Sequence, residues 1–209
     1  MRVAFVVQRY GEEVAGGAEA LCRATARALA ERGDAVEVYT TTARDYLTWA
    51  PHYPEGTTAD GPVVVHRFAA DRPDPGLSDR LGKALTLAGG DDATERAWAR
   101  AQGPVAPGML RALASARGRH EAIAAWTYLY ATSQLAMPLA PERTVLVPLA
   151  HDEPMLRFGL TRGLVLRLIA PSLGELIGQL ERDRHRSRAE IARLEARVVE
   201  LERRAPTPD

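Results

Sequence analysis

Two stretches of the chain hold residue types that can do chemistry at a usable spacing. The first is Gln8-Arg9-Tyr10-Gly11-Glu12-Glu13-Val14-Ala15-Gly16-Gly17-Ala18-Glu19, which follows the apolar run Val3-Ala4-Phe5-Val6-Val7. A helical pattern leaves it, from about Ala18 to Arg32. A helix start offers free N–H groups and the positive end of a dipole, which suits a phosphate or a developing negative charge. Glycines such as Gly16 and Gly17 let the backbone come close to that group with no Cβ in the way. The same pair also suits a strand-to-helix turn that needs glycine for geometry alone, and the local pattern leaves both readings open. The dinucleotide fingerprint G-x-G-x-x-G and the Walker A pattern are both absent. The strand that follows, Val36 to Thr41, ends in threonine rather than in an acid for a ribose hydroxyl.

The second stretch is His151-Asp152-Glu153-Pro154. An imidazole near neutral pH can hydrogen-bond a sugar hydroxyl, polarise a carbonyl or take a proton. A histidine that only closes a turn is the plain alternative. Three consecutive residues do not readily ligate one metal, and no other group has ligand spacing, so no metal site is expected. A serine hydrolase is disfavoured: there is no G-x-S-x-G elbow, and Ser133 and Ser172 lack its turn context.

The elements that must position these residues follow from periodicity. Residues 2–8 read as a central parallel strand, apolar on both faces. In the first helix, Leu21, Thr25, Ala28 and Leu29 share one face, and Gly33 ends it. Val36, Val38 and Thr40 alternate with Glu37, Tyr39 and Thr41, completing a βαβ unit. Residues 42–62 read as one long loop carrying Tyr46, Trp49 and Tyr53, a functional loop or a lid over the sheet end. Val63 to Phe68 is the next strand, and residues 77–102 are helical in two pieces split at Gly89-Gly90-Asp91. Pro104 and Pro107 open another helix with Met109, Leu110 and Leu113 inward. Glu121–Thr127 and Thr144–Leu149 are strands flanking a short helix over Leu129–Met137. The last strand delivers His151 at its carboxyl end, where open α/β sheets bind ligands, so His151 and the glycine loop would face one crevice. A sixth strand is expected over residues 164–170.

After Ser172 the pattern changes. Ile177, Arg184, Ile191 and Val198 recur every seven residues, with Leu173, Leu180, Ser187, Leu194 and Leu201 at the other seam. β-branched residues at a and leucine at d favour a parallel two-stranded coiled coil, giving a homodimer through Ile177–Leu201; a solvated charged helix is the alternative. The expected organisation is an α/β domain over 1–172, a coiled-coil helix over 173–204 and a disordered tail over 205–209. The 209 residues hold 27 basic and 27 acidic side chains, which gives no overall field for nucleic acid. One cysteine, Cys22, excludes an internal disulfide. No apolar stretch is long enough for a signal peptide or a membrane span, so a cytoplasmic protein is expected.

The strand into Gln8-Arg9-Tyr10-Gly11, the Gly16-Gly17-Ala18-Glu19 helix start, Thr40 to Pro54, Thr127-Tyr128-Leu129-Tyr130-Ala131-Thr132 and His151-Asp152-Glu153-Pro154 resemble the N-terminal, acceptor-side half of the family-4-type glycosyltransferases. The similarity covers about residues 1–155. It implies a Rossmann-like domain of the GT-B architecture and retaining sugar transfer from a nucleotide sugar, with no other cofactor. On the matching positions it implies that Gly16 and Gly17 approach the donor diphosphate or sugar and that Glu19 caps or orients the helix start. It gives His151 the catalytic contact to the donor sugar, and it puts Tyr46, Trp49, Asp152 and Glu153 on the acceptor side. The departure is the nucleotide-binding second domain. The family's Glu-x7-Glu pattern has no counterpart after Ser172, where Glu181 and Glu190 are nine apart and Glu195 and Glu202 seven apart. Two expectations of different class follow. One is a transferase half that needs a separate donor-binding domain, from a partner or from a lost C-terminal portion. The other is a non-catalytic, glycosyltransferase-like binding or scaffold protein dimerised by its coiled coil.

Overall fold

A six-stranded sheet in the order β3-β4-β2-β1-β5-β6 forms the centre of the structure. The strands are β1 (Arg2–Val6), β2 (Ala35–Thr41), β3 (Gly56–Asp60), β4 (Val63–Phe68), β5 (Ala122–Trp126) and β6 (Thr144–Val147). The computed structural model describes residues 1–149, Met155 and Phe158. The expected strand at 164–170, the heptad helix at 173–204 and the tail at 205–209 lie outside the described residues. The β1–β2, β2–β4, β1–β5 and β5–β6 pairs are parallel, and only the edge strand β3 runs antiparallel, to β4. This is the α/β, mostly parallel, Rossmann-like arrangement expected from the βαβ pattern. No helix among the described residues is long and apolar enough to cross a membrane.

Strand β1 is buried on both faces because it lies inside the sheet with helices on either side. Its odd residues Val3 and Phe5 join Val36, Val38, Val63 and Val65 against helix α1 (Gly17–Glu31). Its even residues Ala4 and Val6 join Tyr39 and Ile123 against helix α4 (Pro107–Ala116), whose Met109 and Leu113 are fully buried as expected. Each of those two side chains contributes about 1.5–3 kcal/mol by leaving water. Between them in sequence, helices α2 (Pro75–Ala88) and α3 (Asp92–Gln102) pack as a pair around Leu85 and Trp98. Their starts are capped by Asp74 and Asp91, whose carboxylates accept from the Leu77 and Thr94 amides at 2.9 and 2.8 Å. A six-residue helix α5 (Ala131–Ala136) follows β5.

Two expectations are corrected. The 42–62 segment is not one loop: Gly56–Asp60 is a strand, joined to β4 through the two-residue turn Gly61-Pro62. Gly61 has φ 60°, as the first central residue of such a tight hairpin turn requires. The inward face of α1 is also turned by one position. Glu19, Cys22 and Ala26 are buried, whereas Leu21 is 48% exposed. Small residues at Cys22 and Ala26 bring the helix close to the sheet, and Glu19 is drawn inside by Arg9 at the other end of the preceding loop. The helix stop is as read from Gly33. The Asp34 amide donates to the Leu29 carbonyl and the Gly33 amide to that of Ala30, with Gly33 at φ 95°.

Candidate functional site

The parallel strands progress outward in two directions, β1 to β2 to β4 on one side and β5 to β6 on the other. The chain therefore reverses its spatial order between β1 and β5, and the loops leaving these two strands part over that gap. Such a switch point, at the carboxyl ends of the strands, is where open α/β sheets form ligand crevices. Gln8, just past β1, and Thr127, just past β5, meet there: the Thr127 hydroxyl donates to Gln8 Oε1 at 3.4 Å. Thr127 has φ 64°, Leu149 beyond β6 has φ 48°, and Trp49 in the loop after β2 has φ 52°. Positive φ is costly for a side-chain-bearing residue, above all for β-branched Thr127, and such strain gathers at functional edges. All three non-glycine cases among the described residues lie beyond the carboxyl ends of parallel strands.

The β1–α1 loop is braced from inside by a buried ion pair. Arg9 donates from Nε to Glu19 Oε1 at 3.0 Å, and Gln8 Nε2 donates to the same oxygen at 2.8 Å. The second guanidinium nitrogen, Nη2, completes the pair with Glu19 and also reaches the Ala15 carbonyl. Arg9 Nη1 donates to the Arg44 carbonyl at 2.9 Å, which ties this loop to the one after β2. Thr41 Oγ1 donates to the Gln8 carbonyl at 2.7 Å, a second tie between the same loops. Arg9 and Glu19 are only 6% and 4% exposed, so each charge depends on the other. Glu19 is thus the residue that orients the helix start, through Arg9 and Gln8 rather than by bonding its own helix amides. Gly16 is the N-cap at φ 155°, and any β-carbon there would run into the Glu19 carboxylate. Gly17 is exposed, and a β-carbon on it would meet nothing. The outer side of the helix start is therefore open to a ligand.

Across the edge, the loop after β2 is shaped by Asp45. Its carboxylate accepts from the Leu47 and Thr48 amides and the Thr48 hydroxyl, and the Thr48 donors hold it below the usual carboxylate range. Trp49 is buried: its indole donates to the Gln102 carbonyl at 3.0 Å, and its ring meets Tyr130 edge-on at 5.3 Å. It anchors the loop to α3, while Tyr46 and Leu47 project into solvent at 53% and 67% exposure. Arg9 lies over the Tyr46 ring, 5.3 Å from its centre. Tyr46, Leu47, Pro73, Asp79, Gln102 and Tyr130 line a cavity of about 380 Å³. An apolar wall with a few polar groups at that size suits a small molecule carrying hydroxyls.

The structure thus brings Gly16, Gly17, Glu19, Tyr46 and Trp49 to one edge of the sheet. His151, Asp152 and Glu153 lie outside the described residues; β6 ends at Val147 and points toward them in sequence. Gln8, Arg9 and Thr127 lie in stretches marked by the sequence, which gave none of them a role of its own. Only their place beside strand ends could have suggested one. No cluster of His, Cys, Asp and Glu suited to a metal occurs among the described residues. No protein-family model matches the chain, and no curated protein matches it.

Proposed function

We propose that the chain is the acceptor-side half of a retaining, GT-B-type glycosyltransferase, and that its carboxyl-edge crevice receives the acceptor. The reading rests on one observation above all. The loops after β1, β2 and β5 converge on the switch point, the first two tied by Arg9 with its partner Glu19 and the third by the Thr127–Gln8 bond, with the exposed Tyr46 beside a cavity of small-molecule size. A rigid wall of this kind aims an acceptor hydroxyl, and positioning alone commonly lowers a barrier by several kcal/mol. Aromatic side chains such as Tyr46 and Tyr130 offer apolar faces to a sugar ring or an aglycone. The open α1 start at Gly17 would face the donor diphosphate, and His151 would contact the donor sugar. The nucleotide is held from the other side by a separate donor-binding domain.

Isotope-labelled protein titrated with neutral aryl glycosides tests the acceptor half of the reading. Saturable shifts are expected at Tyr46, Leu47 and Tyr130, together with loss of binding in Tyr46→Ala. Shifts confined to other parts of the surface would refute it. Calorimetry with nucleotide sugars tests the division of labour. Micromolar binding to this chain alone would show that it does not depend on a separate donor domain.

A further inference from the structure

Two arginines are buried beneath the loops at this end of the sheet, and only one has a carboxylate. Arg9 has Glu19. Arg67, on β4, is 7% exposed, and its guanidinium makes one hydrogen bond, from Nη1 to the Tyr10 carbonyl at 2.7 Å. One face is covered by the Tyr53 ring, whose centre is 4.1 Å away. Stacking of this kind leaves the in-plane N–H donors free for an acceptor. No acid among the described residues forms an ion pair with Arg67. The nearby Asp60 is taken instead by Arg23, at 2.8 and 2.9 Å, and by the Tyr10 hydroxyl at 3.1 Å. Burial pushes the Arg67 guanidinium below its ordinary pKa, as expected of a cation short of a counter-charge.

Arg67 opens onto a cavity of about 300 Å³ lined also by Tyr10, Gly11, Tyr53 and Asp60. The Tyr53 hydroxyl is buried there without a hydrogen-bond partner. Gly11 leaves it room: a β-carbon at that position would lie 2.6 Å from the Tyr53 oxygen. A buried cation and a buried hydroxyl, each with unused donors, thus border one small space. Both are costly to leave unmet. The rim carries Glu12 and Glu13, whose side chains are 85% and 64% exposed. Arg23 also lines the cavity, and because repulsion by the rim acids grows with the charge of the ligand, they disfavour a polyanion more than a single negative charge.

We propose that this cavity binds a small monocarboxylate, its oxygens accepting from the Arg67 guanidinium and the Tyr53 hydroxyl. The planar fork of arginine matches the two oxygens of a carboxylate. The site lies on the α1 side of the sheet and is independent of the acceptor reading above, since neither needs the other.

The test is a titration of isotope-labelled protein with acetate, glycolate and lactate, and separately with inorganic phosphate, following the Gly11 amide and the Arg67 Nε–H signals. Saturable shifts at both are expected with a monocarboxylate in the millimolar range, with phosphate weaker. Arg67→Lys keeps the charge and removes the fork. Tyr53→Phe removes only a hydroxyl from a half-buried ring, so the protein should still fold. Each should weaken binding about tenfold. Absence of saturable shifts with all three carboxylates, equal binding by both variants, or tighter binding of phosphate would each overturn the proposal.

Discussion

The Glu19 carboxylate occupies the space that a side chain on Gly16 would need. The glycine and the acid are therefore one device: the helix start can be this tight only because residue 16 has no β-carbon. Gly16→Ala must displace Glu19 from Arg9 and also hold an alanine at φ 155°. A loss of about 2–4 kcal/mol is expected in urea unfolding. Gly17→Ala is the matched control. Its β-carbon meets nothing, and alanine favours a helix, so a change between neutral and about 1 kcal/mol stabilising is expected. Equal destabilisation by both would show that the pair is constrained by something other than Glu19.

Removing one partner of the Arg9–Glu19 pair should cost more than removing both. Glu19→Ala leaves a buried guanidinium unmatched, at about 3–5 kcal/mol. The double change of Arg9 to Met and Glu19 to Leu should recover a good part of that loss. A double-mutant cycle by chemical denaturation reads the coupling directly. Purely additive losses would count against a closed pair.

Acid should destabilise the fold through the opposite end of the sheet. Glu37 on β2 lies 3.4 Å from His120, which is 1% exposed, and 3.2 Å from His66 on β4. Burial holds His120 below its usual pKa, more than Glu37 raises it, with Arg119 and Arg2 adding to the lowering. The unfolded chain then binds the proton more readily, so stability falls as pH drops below the unfolded histidine value of about 6.5. Burial acts to raise Glu37, but hydrogen bonds from His66 and Tyr39 and the neighbouring His120 bring it below the ordinary glutamate range. Its contribution is present above its unfolded pKa and is lost as pH falls through the folded one, so both groups work in the same sense. His120→Leu should flatten the fall in thermal midpoint between neutral and mildly acid pH. An unchanged slope would assign the acid sensitivity to other groups.

Cys22 should be chemically silent in the native protein. Its thiol is fully buried, and burial, with Glu19 adding to it, pushes its pKa well up. Labelling by a thiol reagent should run roughly a thousandfold slower than in denaturant, because it waits for the helix to leave the sheet. Fast native labelling would mean that α1 detaches readily.

Much of this fold is legible in the residues because apolar periodicity and turn chemistry agree. Val3 to Val6 reads as part of a central strand apolar on both faces, Val63 to Phe68 as the next strand and Gly89-Gly90-Asp91 as a split between two helices, and the structure keeps them, with α2 starting at Pro75, two residues before the expected 77. Gly56–Asp60 is illegible because Gly-Thr-Thr-Ala-Asp has no apolar side to bury, and almost all of it is exposed. Backbone pairing and the Gly61 turn hold it instead. The α1 face is misread for a related reason. Hydropathy assigns a glutamate to water, yet Glu19 goes inside to meet an arginine ten residues earlier. Arg67 goes inside to meet the Tyr10 carbonyl, fifty-seven residues away. A contact across fifty-seven residues leaves no local trace, whereas the glycine loop is visible because its constraint is local.

Strand β3 also has a bearing on solubility. Without it, β4 would be the outermost strand and would present the backbone of Val63-Val64-Val65 as a bare, apolar edge. Such an edge invites pairing with another chain. The five-residue hem that covers it is short and polar, with two threonines and a terminal aspartate. Arg23 grips that aspartate from α1 with two hydrogen bonds, so the hem is stitched to a helix and not held by its neighbour alone. Cutting the Asp60–Arg23 bond should loosen this cover, and slow fibril growth on standing is the failure to expect.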